Sequence, residues 1–284
     1  MQTARLILNH REDLVLPLKD FYLGSGRTSR LVMAVNPNTV NIRRFKEDDS
    51  FRLTAHAFPR PDGTASMRSR NWRVWAEVAK QFPQIDMWVA HDYDLTVLPG
   101  DADITAHVKP SEYAMIGTAF PIWQEGMKDV DFDTYPFPEG HRYWRLNSNP
   151  YDRAVEAALL KYYPVDFQNI QTVMAGYGDF VATSRENLLR LDDDRLKLID
   201  VFGGEQVPHT IWRVQGIRPV DMRQFYKTKV LMDVVYTPMD VKYDFVHPVK
   251  FWPGQPVDKG LRKQNRTYKF KNFVKRLIRY KNWK

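Results

Sequence analysis

The first hundred residues alternate between short apolar runs that end in polar residues and stretches with helical spacing. "ARLILNH" (Ala4 to His10) predicts a buried strand, and "LVLPLKDFYLG" after it predicts a helix closing near Gly24. "RLVMAVN" (Arg30 to Asn36) and "SFRLTAHAF" (Ser50 to Phe58) predict two more strands. From Ser66 to Phe82 apolar residues recur at Trp72, Trp75, Val78 and Ala79, the spacing of one helical face, and core packing is the reading for both tryptophans. A fourth strand, "DMWVAHDYD", runs from Asp86 to Asp94. Strands alternating with helices predict an α/β layering on a parallel-type sheet.

Beyond Gly100 the pattern loosens. "YAMIGTAF" (Tyr113 to Phe120) predicts one further strand, Pro121 to Pro150 a long loop or lid, and Tyr151 to Tyr163 a helix. In "TVMAGYGDFVATSRENLLRL", Gly176 and Gly178 flank a tight backbone and Phe180 and Val181 resume a strand. Ser184 is an N-cap for a helix through Leu191. "VFGGEQVPHTIWRVQ" reads as a loop running into a helix, and "YDFVHPVK" (Tyr243 to Lys250) closes a body spanning residues 1–258.

Charge separates that body from the carboxy-terminal segment. The chain of 284 residues carries a net +8, yet Lys259 to Lys284 holds eleven Lys and Arg and no acid; removing those eleven leaves −3 for the body. Residues 259–284 form a basic tail in which Phe270, Phe273, Val274, Leu277 and Ile278 fall on one helical face. Such a helix suits an anionic membrane surface; packing on the protein's own core is the rival reading, and nucleic acid is the lesser partner for an acidic body. No apolar run approaches the roughly eighteen residues of a membrane span, and "MQTARLILNHRED" lacks the apolar segment of a signal peptide, so the expected location is cytoplasmic and peripheral to the membrane. With no cysteine, any metal site must be built from oxygen and imidazole.

The chemistry concentrates in "WVAHDYDLTVLPG" (Trp88 to Gly100). In extended chain, residues i and i+2 point to the same side, so Asp92 and Asp94 would converge beyond the strand end. Two close carboxylates repel, and a divalent cation, a Lys or Arg, or a shared proton relieves them. A turn with solvated acids is the plainer alternative.

This order of elements, with "HDYD", "FVHPVK", "AGYGDF" and "GGEQVPH", resembles the GT-A type of nucleotide-sugar-dependent glycosyltransferase, over roughly Ala4 to Lys250. The resemblance implies a GT-A-like, Rossmann-like mixed sheet flanked by helices. It also implies a Mn²⁺ or Mg²⁺ held by Asp92, Asp94 and a late histidine, His247, against the donor diphosphate. The acceptor, a glycan or lipid-linked glycan, would meet Gly178 and Asp179, and Glu205 would be the base of an inverting reaction. Around these, Arg68, Arg70 and Lys250 are candidates for the donor phosphates. Each has a second reading: Glu205 as a helix-dipole residue, His247 as a satisfied turn histidine, Asp179 as a turn cap, and the three cations as solvated side chains.

Two other classes compete. "HDYDLT" also resembles the Asp-x-Asp-x-Thr of haloacid dehalogenase-like phosphatases, which implies Asp92 as nucleophile and Asp94 as acid/base with Mg²⁺; in that family the motif follows the first strand, and here three strand-helix units precede it. The third reading is a non-catalytic polysaccharide- or nucleic-acid-binding protein.

Overall fold

A computed structural model describes residues 1–56, 71–120, 173–176, 180–192, 208, 211–212, 215–230, 237–238, 242–247 and 249–251. The protein is α/β, built on a mixed seven-stranded sheet. The apolar runs become β1 (Thr3–Asn9), β2 (Leu31–Val35), β3 (Phe51–Ala55) and β4 (Met87–Asp92). The outer half adds β6 (Glu112–Met115), β9 (Phe180–Ser184) and β10 (Arg218–Asp221), giving the order β10-β6-β9-β4-β1-β2-β3. β1 is parallel to β2 and β4, β2 to β3, and β6 to β10, whereas β9 runs antiparallel to both β4 and β6.

One face of the sheet is covered by α2 (Asn71–Gln81) and α4 (Arg185–Leu189). Trp72, Trp75 and Val78 of α2 pack with Leu6, Leu8, Val32, Trp88 and Val181 from alternate sheet positions, so the two tryptophans are core residues as predicted. Ser184 caps α4 by accepting the Asn187 N–H at 3.3 Å, and the helix ends two residues earlier than the sequence pattern suggests.

The other face carries two apolar clusters. Over β1–β3, α1 (Val15–Tyr22) buries Val15, Leu18 and Tyr22, the i, i+3, i+7 stripe, against Ile7, Leu31, Met33 and Phe51. The helix closes at Gly24, where a Cβ would lie 2.5 Å from the Asp20 carbonyl oxygen. Over β4, β6 and β9, the covering pieces are β5 (Thr96–Val97), α3 (Asp101–Thr105) and a three-stranded sheet ordered β11-β13-β5, with β11 at Thr228–Val230 and β13 at Phe245–His247.

Several expectations need revising. The strand read from Tyr113 to Phe120 is two: β6 stops at Met115, and β7 (Gly117–Phe120) joins a separate two-stranded sheet with β8 (Val173–Gly176). α3 was not foreseen; its signal is Gly100 followed by Asp103, whose Oδ2 accepts the Gly100 N–H at 3.2 Å. "YDFVHPVK" divides into β13 and β14 (Val249–Phe251), the latter paired with β12 (Thr237–Pro238). The Pro121–Pro150 lid, the helix of residues 151–163 and the tail 259–284 lie outside the described residues.

Candidate functional site

From β1 the chain steps outward to β2 and β3, then returns to place β4 on the other side of β1. The carboxyl ends of β1 and β4 therefore border the point where strand order reverses, which is where open α/β sheets bind ligands. The last paired residues there are Leu8 and Asp92, and the Tyr93 N–H continues the ladder to the Leu8 carbonyl at 2.9 Å.

The Asp-Tyr-Asp geometry differs from the sequence expectation. β4 ends at Asp92, and the Leu95 N–H reaches back to the Asp92 carbonyl at 3.2 Å, so residues 92–95 form a turn instead of extended chain. The same-side argument for Asp92 and Asp94 fails for that reason. What approaches Asp94 comes from 153 positions along the chain: Nε2 of His247 lies 3.6 Å from its Oδ1. Asp94 is buried and His247 half-buried.

His247 arrives there through β-pairing. β5, directly after the turn, pairs antiparallel with β13, Thr96 facing Val246 and Val97 facing Phe245, and His247 is the next residue along β13. A two-residue strand thus docks the late segment against the turn.

Beneath the turn lies His91, fully buried and opposite Phe180 of β9. Its Nδ1 is 2.8 Å from the Asp92 carbonyl oxygen. A carbonyl only accepts, so Nδ1 carries the proton. Burial, then the nearby Arg5 cation, push the imidazole down to about 3, against smaller upward effects of the Asp92 carbonyl and the Asp94 carboxylate. His91 is neutral at pH 7, a fixed donor that holds the first carbonyl of the turn.

Polar residues also stand at or just after the carboxyl ends of the other parallel strands, β1, β2 and β3. Asn9 accepts the Arg11 N–H and donates to the Arg11 carbonyl, both at 2.9 Å. The exposed His10 sets its ring edge-on to Tyr93 with centroids 4.6 Å apart. Asn36 follows β2, and His56, after β3, meets Glu77 of α2 at 3.1 Å. Sequence reasoning passed over these four, although each stands where an apolar run gives way to a polar side chain.

No protein-family model matches the chain, and neither does any curated protein. Of the remaining candidates, Lys250 lies in β14, within the separate β12–β14 pair. Arg68, Arg70, Gly178, Asp179 and Glu205 lie outside the described residues. Among the described residues no three His, Asp or Glu side chains gather into a metal cage, and no helix is long and apolar enough to cross a membrane. One carboxylate and one imidazole do stand together, in Asp94 and His247. Hard cations in phosphate sites commonly take only one or two protein carboxylates and fill the rest of their shell from phosphate and water, so this donor set fits such an ion.

Proposed function

We propose that the protein is a metal-dependent glycosyltransferase of the GT-A type, moving a sugar from a nucleotide-sugar donor to a glycan or lipid-linked glycan. The observation that carries the reading is the meeting of Asp94 and His247 beside the strand-order reversal, where a nucleotide would lie. Asp94 and His247 would hold Mn²⁺ or Mg²⁺, with Asp92 left out of the set because the 92–95 turn removes the extended chain that would have paired it with Asp94. The ion stabilises negative charge on a departing diphosphate when bound. In the transfer, the acceptor hydroxyl oxygen attacks the anomeric carbon as the bond from that carbon to the donor phosphate oxygen breaks, its electron pair leaving with the diphosphate. The hydroxyl proton passes to a carboxylate base, for which Glu205 is the candidate. The basic tail would hold the enzyme at an anionic membrane, where a lipid-linked acceptor is presented.

The test is a panel of nucleotide sugars assayed for Mn²⁺-dependent hydrolysis and binding, with Asp94→Asn and His247→Gln beside the natural chain. Loss of metal-dependent donor binding in both variants, with the fold retained, is the expected result. Unchanged Mn²⁺-dependent affinity in Asp94→Asn overturns it. A phosphoryl group trapped on Asp92 replaces it with the phosphatase reading, because a dehalogenase-type enzyme passes through an acyl phosphate on that residue.

A further inference from the structure

Arg5 sits inside β1 with no exposed surface, a full positive charge in the middle of an apolar strand. Such a charge is costly unless paired and hydrogen-bonded. Its Nε donates to Asp101 Oδ1 at 2.7 Å, its Nη1 to the Val97 carbonyl at 3.1 Å and its Nη2 to the Pro99 carbonyl at 3.0 Å. Between those two, the Leu98 carbonyl accepts from Arg27 Nε at 3.0 Å. Three consecutive carbonyls, 97 to 99, are therefore each held by a guanidinium.

Tyr22 completes the arrangement from α1. Its ring lies 4.4 Å under the Arg5 guanidinium carbon, and its hydroxyl accepts the Val97 N–H at 3.2 Å. The held segment is β5 and its exit, the same strand that pairs with β13 and delivers His247 to Asp94.

We propose that Arg5 is a positioning residue for the Asp94–His247 pair: by clamping the backbone of residues 97–99 it sets where β5 lies, and through β5 where His247 lies. The role this gives Arg5 in metal and donor binding rests on the function proposed above; the geometric role does not. The planar fork is what the task requires, since a lysine ammonium cannot span two carbonyls and a carboxylate in one fixed geometry.

The experiment uses the full-length chain with its histidine rings isotope-labelled. In the natural protein, Asp94→Asn is expected to displace the His247 ring resonances. In an Arg5→Met/Asp101→Leu background, which removes both buried charges together and so leaves neither stranded, that displacement is expected to fall several-fold while the circular dichroism spectrum stays native. Mn²⁺ affinity, read by titration calorimetry, should weaken by about 10- to 100-fold, the range for residues that orient metal ligands. If the double variant does not fold, the same two measurements on Arg5→Lys and on Tyr22→Phe decide the matter, with a smaller loss expected in each. An undiminished His247 response to Asp94→Asn in a folded clamp variant overturns the proposal. A natural chain that has the Asp94–His247 coupling, loses it in the clamp variant, and yet binds neither Mn²⁺ nor any nucleotide sugar removes the function proposed above and upholds the role of Arg5 in placing the pair.

Discussion

The two faces of the central sheet solve the same burial problem differently. On the α2 and α4 side, one apolar cluster runs from Val32 of β2 across β1 and β4 to Val181 of β9 and Met115 of β6. On the α1 and α3 side, the apolar surface is split in two, and the buried polar residues Arg5, His91 and Asp101 belong to neither half, with Tyr22 of the α1 cluster set against both Arg5 and His91. A continuous apolar face stabilises through area and is indifferent to direction, whereas guanidinium and imidazole hydrogen bonds depend steeply on geometry. The difference teaches that the first face supplies stability and the second supplies placement, and the candidate site stands at the end of the second.

The largest effects should come from breaking each face at its centre. Trp75→Ala, in the continuous cluster, is expected to cost about 3–5 kcal/mol of unfolding free energy in urea titrations. Arg5→Met alone should cost a similar ~3–5 kcal/mol by leaving Asp101 buried and uncompensated, and adding Asp101→Leu should recover most of that loss, a rescue with no counterpart for Trp75.

A pH titration sharpens the contrast further. The His91 imidazole is held down to about 3 from 6.5. As pH falls below 6.5 the unfolded chain takes up a proton there that the native chain refuses until about pH 3, so stability is complete above that window and declines through it. The His91 share of the slope should reach at most ~1.4 kcal/mol per pH unit, and His91→Gln should flatten the whole slope by about one proton, measured as urea midpoints between pH 7 and pH 4. Trp75→Phe, on the other face, should leave the slope as it was. The smallest change expected is at the edge of the first face, where Ser184→Ala removes the α4 cap and should cost about 1 kcal/mol in the same titrations.

How legible each feature is in the sequence depends on how local it is. β1 to β4 and the buried stripe of α1 announce themselves through runs and spacings within a dozen residues, and the burial of Trp72 and Trp75 follows from helical periodicity alone. β5, β11 and β13 are two or three residues long and exist because of partners far along the chain, so no local pattern marks them. "HDYD" does mark a strand end, but the hydrogen bond that stops the strand at Asp92 cannot be read from residue types that suit strand ends and turns equally. Arg5 left a signal that was overlooked: a charge inside "ARLIL" is an anomaly in a strand that is otherwise apolar, and such anomalies mark buried networks.

The 153-residue separation between Asp94 and His247 also orders events in time. All seven strands of the main sheet lie at or before Asp221, whereas His247 is delivered by a strand that begins at Phe245. During synthesis the sheet can therefore assemble while the Asp94–His247 pair does not yet exist. Chains interrupted between these points would carry the scaffold without the pair, and the appearance of the pair would register that nearly all of the described chain has been made and docked.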